Sequence, residues 1–149
     1  MHILKNKCES NKQILISIIT PNFNRRDQFL RSFKSVQNLK TNLGFELIIV
    51  DDGSQIDLSK EYEEIISYNK FPITIFFKEN GGVHTARNLG TNNAKGDFCI
   101  FLDSDDELLP DSLDIFMEAY SSLSPETKKV EKSLEPKIVD INPNKRNKK

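Results

Sequence analysis

The 149-residue sequence lacks the features of several large classes of protein. It has only two cysteines, Cys8 and Cys99, which are too few for a disulfide framework or a zinc site. Its longest apolar runs, such as those at 14–16 and 47–50, have the length of strands and not of membrane spans. The first twelve residues are polar and charged and contain no apolar stretch of signal-peptide length. We therefore expect a soluble, cytoplasmic protein, compatible with peripheral association with the inner face of a membrane.

Four widespread catalytic and nucleotide-binding motifs are also missing. The sequence contains no G-x-x-x-x-G-K-[ST], no G-x-G-x-x-G, no H-E-x-x-H and no G-x-S-x-G. Interpretations as a P-loop kinase, a dinucleotide-dependent dehydrogenase, a zinc protease or a serine hydrolase therefore lack their characteristic residues.

The charge is divided unevenly along the chain. Residues 125–149 contain eight Lys or Arg and four Asp or Glu, whereas the preceding 124 residues contain 13 basic and 18 acidic residues. An acidic body argues against a dedicated nucleic-acid-binding protein. The basic tail has no sustained hydrophobic period and is predicted to be mostly disordered, although Ile138, Val139 and Ile141 could add one short strand.

Two hydrophobic periodicities alternate between residues 14 and 123, and they predict an α/β fold. Apolar runs of buried-strand type are each followed by apolar residues at helical spacing. The predicted strands are 14–19, 45–50, 73–77 and 98–102, and the predicted helices are 25–39, 58–66, 83–94 and 110–120. This β-α-β-α-β-α-β-α order predicts a Rossmann-like open parallel sheet with helices on both faces. The predicted divisions are an N-terminal extension at 1–13, one domain at 14–123 and the tail at 124–149.

Polar segments follow all four predicted strands. They are Thr20–Asn24, Asp51–Ser54, Asn80–Asn88 and Asp103–Asp106. In an open parallel sheet the ligand crevice lies beyond the carboxyl ends of the strands. We therefore expect these four segments to face one crevice.

The three carboxylates Asp103, Asp105 and Asp106 are candidate metal ligands. Three acidic side chains within four residues repel each other unless a cation lies among them, and Mg²⁺ and Mn²⁺ prefer oxygen ligands. The alternative is a solvated turn in which an aspartate caps a helix. The position directly after a buried strand favours the metal.

The segments after the other three predicted strands carry weaker signals. Asp52 precedes Gly53, and Asp–Gly marks a turn in any context, although a carboxylate held there can accept a hydrogen bond from a base N–H or a ribose hydroxyl. Phe23 lies in a predicted loop, where its ring could stack on a planar base or fold back onto the core. Arg87, about one turn into a predicted helix, could bind a phosphate or form a surface salt bridge. For His84 a non-catalytic role is favoured.

Together these motifs resemble the nucleotide-binding half of a GT-A glycosyltransferase of the family 2 type. The matching segments are ISIITPNFN at 16–24, LIIVDDGS at 47–54, ENGGVHTARNLG at 79–90 and GDFCIFLDSDDELLPDSL at 96–113. The resemblance implies a nucleotide-diphosphate sugar as donor, with UDP the usual nucleotide. It also implies Mn²⁺ or Mg²⁺ bridging the protein to the diphosphate, and inverting transfer to an acceptor hydroxyl. The typical setting in the family is polysaccharide biosynthesis with a saccharide or lipid-linked acceptor.

The resemblance also implies roles for the nucleotide-binding residues. Pro21 and Phe23 would line the base pocket. Asp52 would accept a hydrogen bond from the base, with Asp51 supporting it. Arg87 would contact the nucleotide.

The acidic motif is implied to bind both the ribose and the metal. Asp103 would lie near the ribose and the metal, Asp105 would be a metal ligand, and Asp106 is a further candidate ligand. The leaving diphosphate gains negative charge in the transition state, and a cation stabilises that charge.

The sequence departs from the family pattern after Leu123. Family members continue with acceptor contacts and a carboxylate general base, which inverting transfer requires. We nominate no base here, because Glu131, Glu135 and Asp140 lie in a tail without pattern. A truncated chain or a fragment is therefore expected, with a partner chain as one source of the acceptor half.

Three hypotheses follow, in decreasing order of support. The first is a glycosyltransferase or its donor-binding module. The second is a non-catalytic remnant that binds a nucleotide sugar. The third is an aspartate-nucleophile phosphotransferase, which places its carboxylate motif at the first strand, whereas here the motif follows the fourth.

Overall fold

The computed structural model describes residues 1–123 and the backbone of residues 137–140. The predicted strand and helix alternation is present, with one additional strand at each end. In chain order the elements are β1 His2–Lys5, β2 Ile16–Asn22, α1 Asp27–Gln37, β3 Phe45–Asp51, α2 Ser59–Ile66, β4 Ile73–Phe77, α3 Val83–Asn92, β5 Phe98–Phe101, α4 Ser112–Ser121 and β6 Lys137–Asp140.

The strands form one six-stranded sheet in the order β1-β4-β3-β2-β5-β6. All neighbouring pairs are parallel except β1 with β4. The chain proceeds outward from β2 through β3 to β4 and then returns to the other side of β2 to form β5. The strand order therefore reverses between β2 and β5, and a crevice forms where the strand order of such a sheet reverses.

Helices cover both faces of the sheet, as predicted. The larger apolar cluster joins one sheet face to α1, α2 and α4, with Phe29, Tyr62 and Leu113 almost fully buried. The smaller cluster joins the opposite face to α3 through Ala86. Because successive residues of a strand point to opposite faces, the continuous apolar runs of the central strands supply both clusters. The predicted α/β fold class is confirmed.

Two strands were not among the four predicted ones. β1 lies in the segment predicted as an N-terminal extension and pairs only with β4, so its side chains are mostly exposed and give little hydrophobic signal. β6 includes Ile138 and Val139, which matches the option of one short strand in the tail. Ile141 and most of the tail lie outside the described residues.

β2 is longer at its carboxyl end than predicted. It continues through Pro21 to Asn22 in register with β3. Proline lacks an amide hydrogen, so it is tolerated only where a ladder bond is not needed. On the other side of β2, the pairing with β5 stops at Ile19. The last two residues of β2, Pro21 and Asn22, therefore lie at the wall of the crevice.

Two further features of the described structure concern Cys99 and the helices. Cys99 is fully buried in β5 and is a free thiol, as expected for a small apolar residue of the core. No helix in the described part of the chain has the length and apolar character needed to cross a bilayer.

Candidate functional site

A crevice of about 660 Å³ lies at the carboxyl ends of the central strands. This volume is in the range of small-molecule sites. Residues from the ends of β2, β3 and β5, from the loop before α3 and from α3 itself contribute to its walls. The lining residues are Pro21, Asn22, Phe23, Arg25, Asp52, Asn80, Gly82, Val83, Arg87, Asp103, Ser104 and Asp105.

The crevice gathers most of the residues predicted from the sequence. Six of the eight line it: Pro21, Phe23, Asp52, Arg87, Asp103 and Asp105. Asp106 is adjacent through the acidic turn, whereas Asp51 is not among the lining residues. The four polar segments that follow the predicted strands all contribute at least one lining residue, as expected from the topology.

Asp51 faces the opposite side of the sheet from Asp52. Along β3, Asp51 shares the face of Leu47 and Ile49, which pack against the cluster that includes α2. Its carboxylate accepts hydrogen bonds from the backbone N–H of Ser54 at 2.7 Å and from the hydroxyl of Tyr62 at 2.5 Å. Asp51 thus anchors the loop after β3 to α2.

Asp52 is buried, and it holds the loop that precedes α3. Its Oδ1 accepts hydrogen bonds from the Nζ of Lys78 at 2.6 Å and the N–H of Gly81 at 3.0 Å, and its Oδ2 accepts one from the N–H of Gly82 at 2.9 Å. Lys78 also donates to the hydroxyl of Thr85 in α3. The glycine amides therefore bind a carboxylate of the protein itself and are not available as a phosphate cradle. The Nδ2 of Asn80 adds a longer contact of 3.5 Å to Oδ2, so the roughly four acceptor positions of the carboxylate are filled, and this long contact is the weakest of them.

Arg87 is held in the crevice by two contacts. Its Nη2 donates to Oδ1 of Asp103 at 2.7 Å, and its guanidinium lies 5.2 Å from the ring centroid of Phe101. Its Nε is buried and has no hydrogen-bond partner among the described residues. An unsatisfied buried donor is costly, so this nitrogen suits an acceptor group of a ligand.

Phe23 and Asn24 shape the mouth of the crevice. The ring of Phe23 is 42% exposed and lines the crevice, so it is not folded back onto the core. Asn24 has a positive φ of 54°, and its Oδ1 accepts hydrogen bonds from the N–H groups of Gln55 and Ile56. These bonds tie the loop after β2 to the loop after β3 and leave the aromatic ring facing the ligand space.

The acidic turn after β5 brings three carboxylates together. Oxygen atoms of Asp103, Asp105 and Asp106 lie within 4.8 Å of one another. Asp105 is exposed and forms a longer contact of 3.4 Å with Arg25. A cluster of hard oxygen donors at the edge of a ligand crevice fits Mg²⁺ or Mn²⁺.

Sequence reasoning missed three residues that organise the site. Lys78 supplies the counter-charge of Asp52, Asn22 lines the crevice, and Tyr62 joins Asn22 to Asp51. Period-two alternation along β3 could have shown that Asp51 and Asp52 face opposite ways. Nothing in the sequence pattern marks Lys78 as the partner of Asp52, because 26 residues separate them.

Comparison with known proteins decides the family. A family model described as glycosyl transferase family 2 matches residues 17–125. The chain belongs to glycosyl transferase family 2. The resemblance seen in the four sequence segments is thereby confirmed, and the matched region covers all the residues that line the crevice.

Relatives of this family 2 chain come from several bacteria. It is 43% identical over 114 residues to an uncharacterized glycosyltransferase of Rickettsia conorii, covering 72% of this chain and 18% of the relative. It is 34% identical over 105 residues to the GalNAc(5)-diNAcBac-PP-undecaprenol beta-1,3-glucosyltransferase of Campylobacter jejuni, covering 69% of this chain and 33% of that enzyme.

A solved structure with a bound nucleotide sugar has a similar fold. Residues 1–349 of TarS from S. aureus, in complex with UDP-GlcNAc, match with a TM-score of 0.65 and 26% identity. The match covers 72% of this chain and 31% of that structure. The family 2 chain thus spans a fifth to a third of the length of these proteins.

Proposed function

We propose that the crevice binds a UDP-sugar and that the chain is the donor-binding part of a glycosyltransferase. The observation that carries this proposal is the convergence in one crevice of an exposed aromatic ring, an arginine with an unpartnered Nε, and two carboxylates of an adjoining cluster of three. These are the groups that a base, a phosphate and a phosphate-bound divalent cation require. UDP-GlcNAc bound to the similar TarS structure supports a uridine nucleotide.

The base is proposed to bind between the loops after β2 and β3. Phe23 would stack on the base, and Pro21 would complete the apolar wall. Asp52 would accept a base N–H through Oδ2, in place of the long 3.5 Å contact from Asn80. Asp51 would support Asp52 indirectly, by fixing the loop after β3 through the Ser54 N–H.

The ribose and the diphosphate are proposed to bind toward β5. Arg87 would use its buried Nε to donate to an oxygen of the nucleotide, and Asp103 would fix the guanidinium while lying close to the ribose. Asp105, with Asp103 and Asp106, would hold Mn²⁺ or Mg²⁺. A bound divalent cation would stabilise the negative charge of the leaving diphosphate.

Transfer to an acceptor hydroxyl with inversion is the reaction we propose for the whole enzyme. Such a displacement requires a general base next to the acceptor. We assign no base in this chain: Glu131 and Glu135 lie outside the described residues, and for Asp140 only the backbone is described. The alternative function is a remnant that binds the donor without transfer.

The acceptor is proposed to be a saccharide or a lipid-linked saccharide, in polysaccharide biosynthesis. The printed name of the C. jejuni relative, which includes an undecaprenol-linked substrate, supports the lipid-linked form. A partner chain is the proposed source of acceptor contacts if this chain acts in an assembly. A cytoplasmic location stays a prediction from the sequence.

Calorimetric titration of the purified chain with UDP, with and without Mn²⁺, tests donor binding. We expect saturable binding that strengthens with Mn²⁺, and the titration is repeated with CDP and ADP as matched nucleotides. Release of UDP from UDP-GlcNAc in the presence of lipid-linked or free saccharides then separates the two functions. Binding with UDP release supports the transferase, binding without release supports the remnant, and no binding contradicts both.

A further inference from the structure

We propose that Arg25 pairs with Asp105 when no ligand is bound, and changes partner to the diphosphate of the nucleotide sugar when Asp105 binds the divalent cation. The inference rests on the proposed function, from which it takes the nucleotide and the cation. Arg25 follows β2, Asp105 follows β5, and both line the crevice. The guanidinium Nη1 lies 3.4 Å from Oδ2 of Asp105. Because β2 and β5 are neighbours in the sheet, the pair joins the two sides of the crevice where the strand order reverses.

The backbone of Arg25 is fixed, whereas its side chain is not. Its carbonyl oxygen accepts a hydrogen bond from Nδ2 of Asn22 at 3.1 Å, and the neighbouring Arg26 donates to the carbonyl oxygen of Asp57 at 2.7 Å. Within the described part of the chain, the guanidinium of Arg25 has an ion-pair contact with Asp105 but donates no hydrogen bond, and the side chain is 45% exposed. Arg25 can therefore change partner by rotation of its side-chain bonds, without a rearrangement of the loop.

The pair between Arg25 and Asp105 is weak enough to exchange. Its N–O distance of 3.4 Å is longer than those of the other ion pairs of the described residues, which lie between 2.6 and 2.9 Å. Exposed pairs of this kind contribute little to stability. Arg87, in contrast, is 19% exposed and lies 2.7 Å from Asp103. Of the two arginines that line the crevice, Arg25 is the one able to follow a ligand.

The charges of the crevice explain why a diphosphate would draw Arg25 to itself. Asp103, Asp105 and Asp106 carry three carboxylates, and Arg87 pairs with one of them. A divalent cation balances the two remaining carboxylates and leaves no surplus positive charge for the phosphate groups. Arg25 is the other positively charged residue among those that line the crevice, and a guanidinium can bind a phosphate group through two parallel hydrogen bonds. Arg25 is also repelled from Asp105 by a cation bound to the same carboxylate.

The test measures two affinities on which Arg25 has opposite effects. Binding of Mn²⁺ without nucleotide is followed by the EPR signal of free Mn²⁺, and binding of UDP at saturating Mn²⁺ is followed by calorimetry. In Arg25→Met, Mn²⁺ alone should bind about 2- to 5-fold more tightly, because the guanidinium that competes for Asp105 is absent. UDP should bind about 5- to 20-fold more weakly, because its phosphate groups lose a charged hydrogen-bond donor. Uridine, which has no phosphate, should bind as it does to wild type.

Two further variants are the controls. Arg25→Lys keeps the charge but not the paired donors, so it should bind Mn²⁺ like wild type and UDP only about 2- to 5-fold more weakly. Arg31→Met removes the same charge from an exposed position of α1 outside the crevice lining, and both affinities should stay at their wild-type values. The Arg25 variants keep the backbone carbonyl to which Asn22 donates, and thermal unfolding checks that each variant folds.

The outcomes separate the exchange of partners from simpler roles of Arg25. Opposite changes in the two affinities of Arg25→Met support the exchange. Tighter Mn²⁺ binding with unchanged UDP affinity would mean that Arg25 only balances the charge of Asp105, and equal losses for UDP and uridine would mean that it only shapes the loop after β2. Either result overturns the proposal, as do unchanged affinities for both ligands. Wild type that does not bind UDP overturns the proposed function itself.

Discussion

The Nζ of Lys78 lies 2.6 Å from Oδ1 of Asp52, and this pair joins the end of β3 to the loop that opens α3. The same ammonium group also donates hydrogen bonds to the carbonyl oxygen of Glu79 and to the hydroxyl oxygen of Thr85. The side chain of Asp52 is only 5% exposed. Burying a carboxylate so deeply is costly unless a counter-charge and hydrogen-bond donors surround it. The pair therefore stabilises one wall of the crevice before any ligand binds.

Replacing Lys78 is expected to destabilise the fold. Lys78→Met keeps the aliphatic stem but leaves the buried charge of Asp52 with only amide donors. We expect the free energy of unfolding to fall by about 1–3 kcal/mol in urea denaturation. Lys70→Met, at an exposed lysine, is the control and should change it by less than about 0.5 kcal/mol. Equal stability of Lys78→Met and wild type would show that the amides suffice.

Gly82 is expected to tolerate no side chain, for a reason of backbone conformation alone. Its φ of 95° and ψ of 162° lie in a region used almost only by glycine, although a Cβ there would meet no atom within 4 Å. Gly82→Ala should therefore cost about 1–3 kcal/mol of unfolding free energy. Gly82→Asn should give no rescue, because asparagine tolerates a different positive-φ region. A stable Gly82→Ala variant in thermal unfolding would mean that the loop can rearrange.

Asp105 is expected to affect metal-dependent binding and not stability. It is exposed, and its contact with Arg25 at 3.4 Å is a surface pair of little energetic weight. Asp105→Asn should remove the gain in UDP affinity on adding Mn²⁺, on the order of tenfold, because a hard cation loses a charged oxygen ligand. Glu107→Gln, an exposed carboxylate outside the cluster, is the control for lost charge. A gain from Mn²⁺ in Asp105→Asn equal to that of wild type contradicts this assignment.

The thiol of Cys99 makes stability depend on pH in the alkaline range. Burial, with a smaller effect of Glu46, raises the pKa of Cys99 from 9.0 to about 11. The folded protein therefore retains a proton that the unfolded chain loses, so the stabilisation is complete below pH 9 and is lost as pH rises toward 11. In urea denaturation, wild type should lose more stability than Cys99→Ala between pH 8.5 and 10.5. Parallel pH profiles for the two proteins would contradict the burial of a protonated thiol.

Sequence analysis predicted those strands whose apolar residues are buried on both faces of the sheet. The apolar runs of β2, β3 and β5 are buried on both faces, so their assignment as strands of a parallel sheet followed directly from the sequence, whereas their order in the sheet did not. β1 could not be found in the same way, since only Leu4 of its four residues is even partly buried. An edge strand needs no apolar pattern when its backbone pairs with a neighbour, here β4.

The candidate site was predictable in its location and less so in its internal contacts. The crevice residues Phe23, Arg87 and Asp103 were found because they follow strand ends, a rule of topology. The engagement of Asp52 by Lys78, and the fixed amide of Asn22, depend on side-chain hydrogen bonds between residues far apart in the sequence. The hydrophobic periodicity of the sequence does not predict such bonds, and only the three-dimensional structure shows them.

The central claim is that the crevice between β2 and β5 binds a uridine diphosphate together with a divalent cation. NMR titration of the ¹⁵N-labelled chain with UDP and then Mn²⁺ tests it most directly, because paramagnetic Mn²⁺ broadens signals of nearby nuclei. The account predicts UDP-induced shifts at Asn22, Phe23 and Arg87, followed by Mn²⁺ broadening centred on residues 103–106. A second groove lies between β1 and α2 and is lined by residues that include His2, Tyr62 and Phe77. Shifts centred on that groove, with residues 103–106 unaffected by Mn²⁺, would contradict the account.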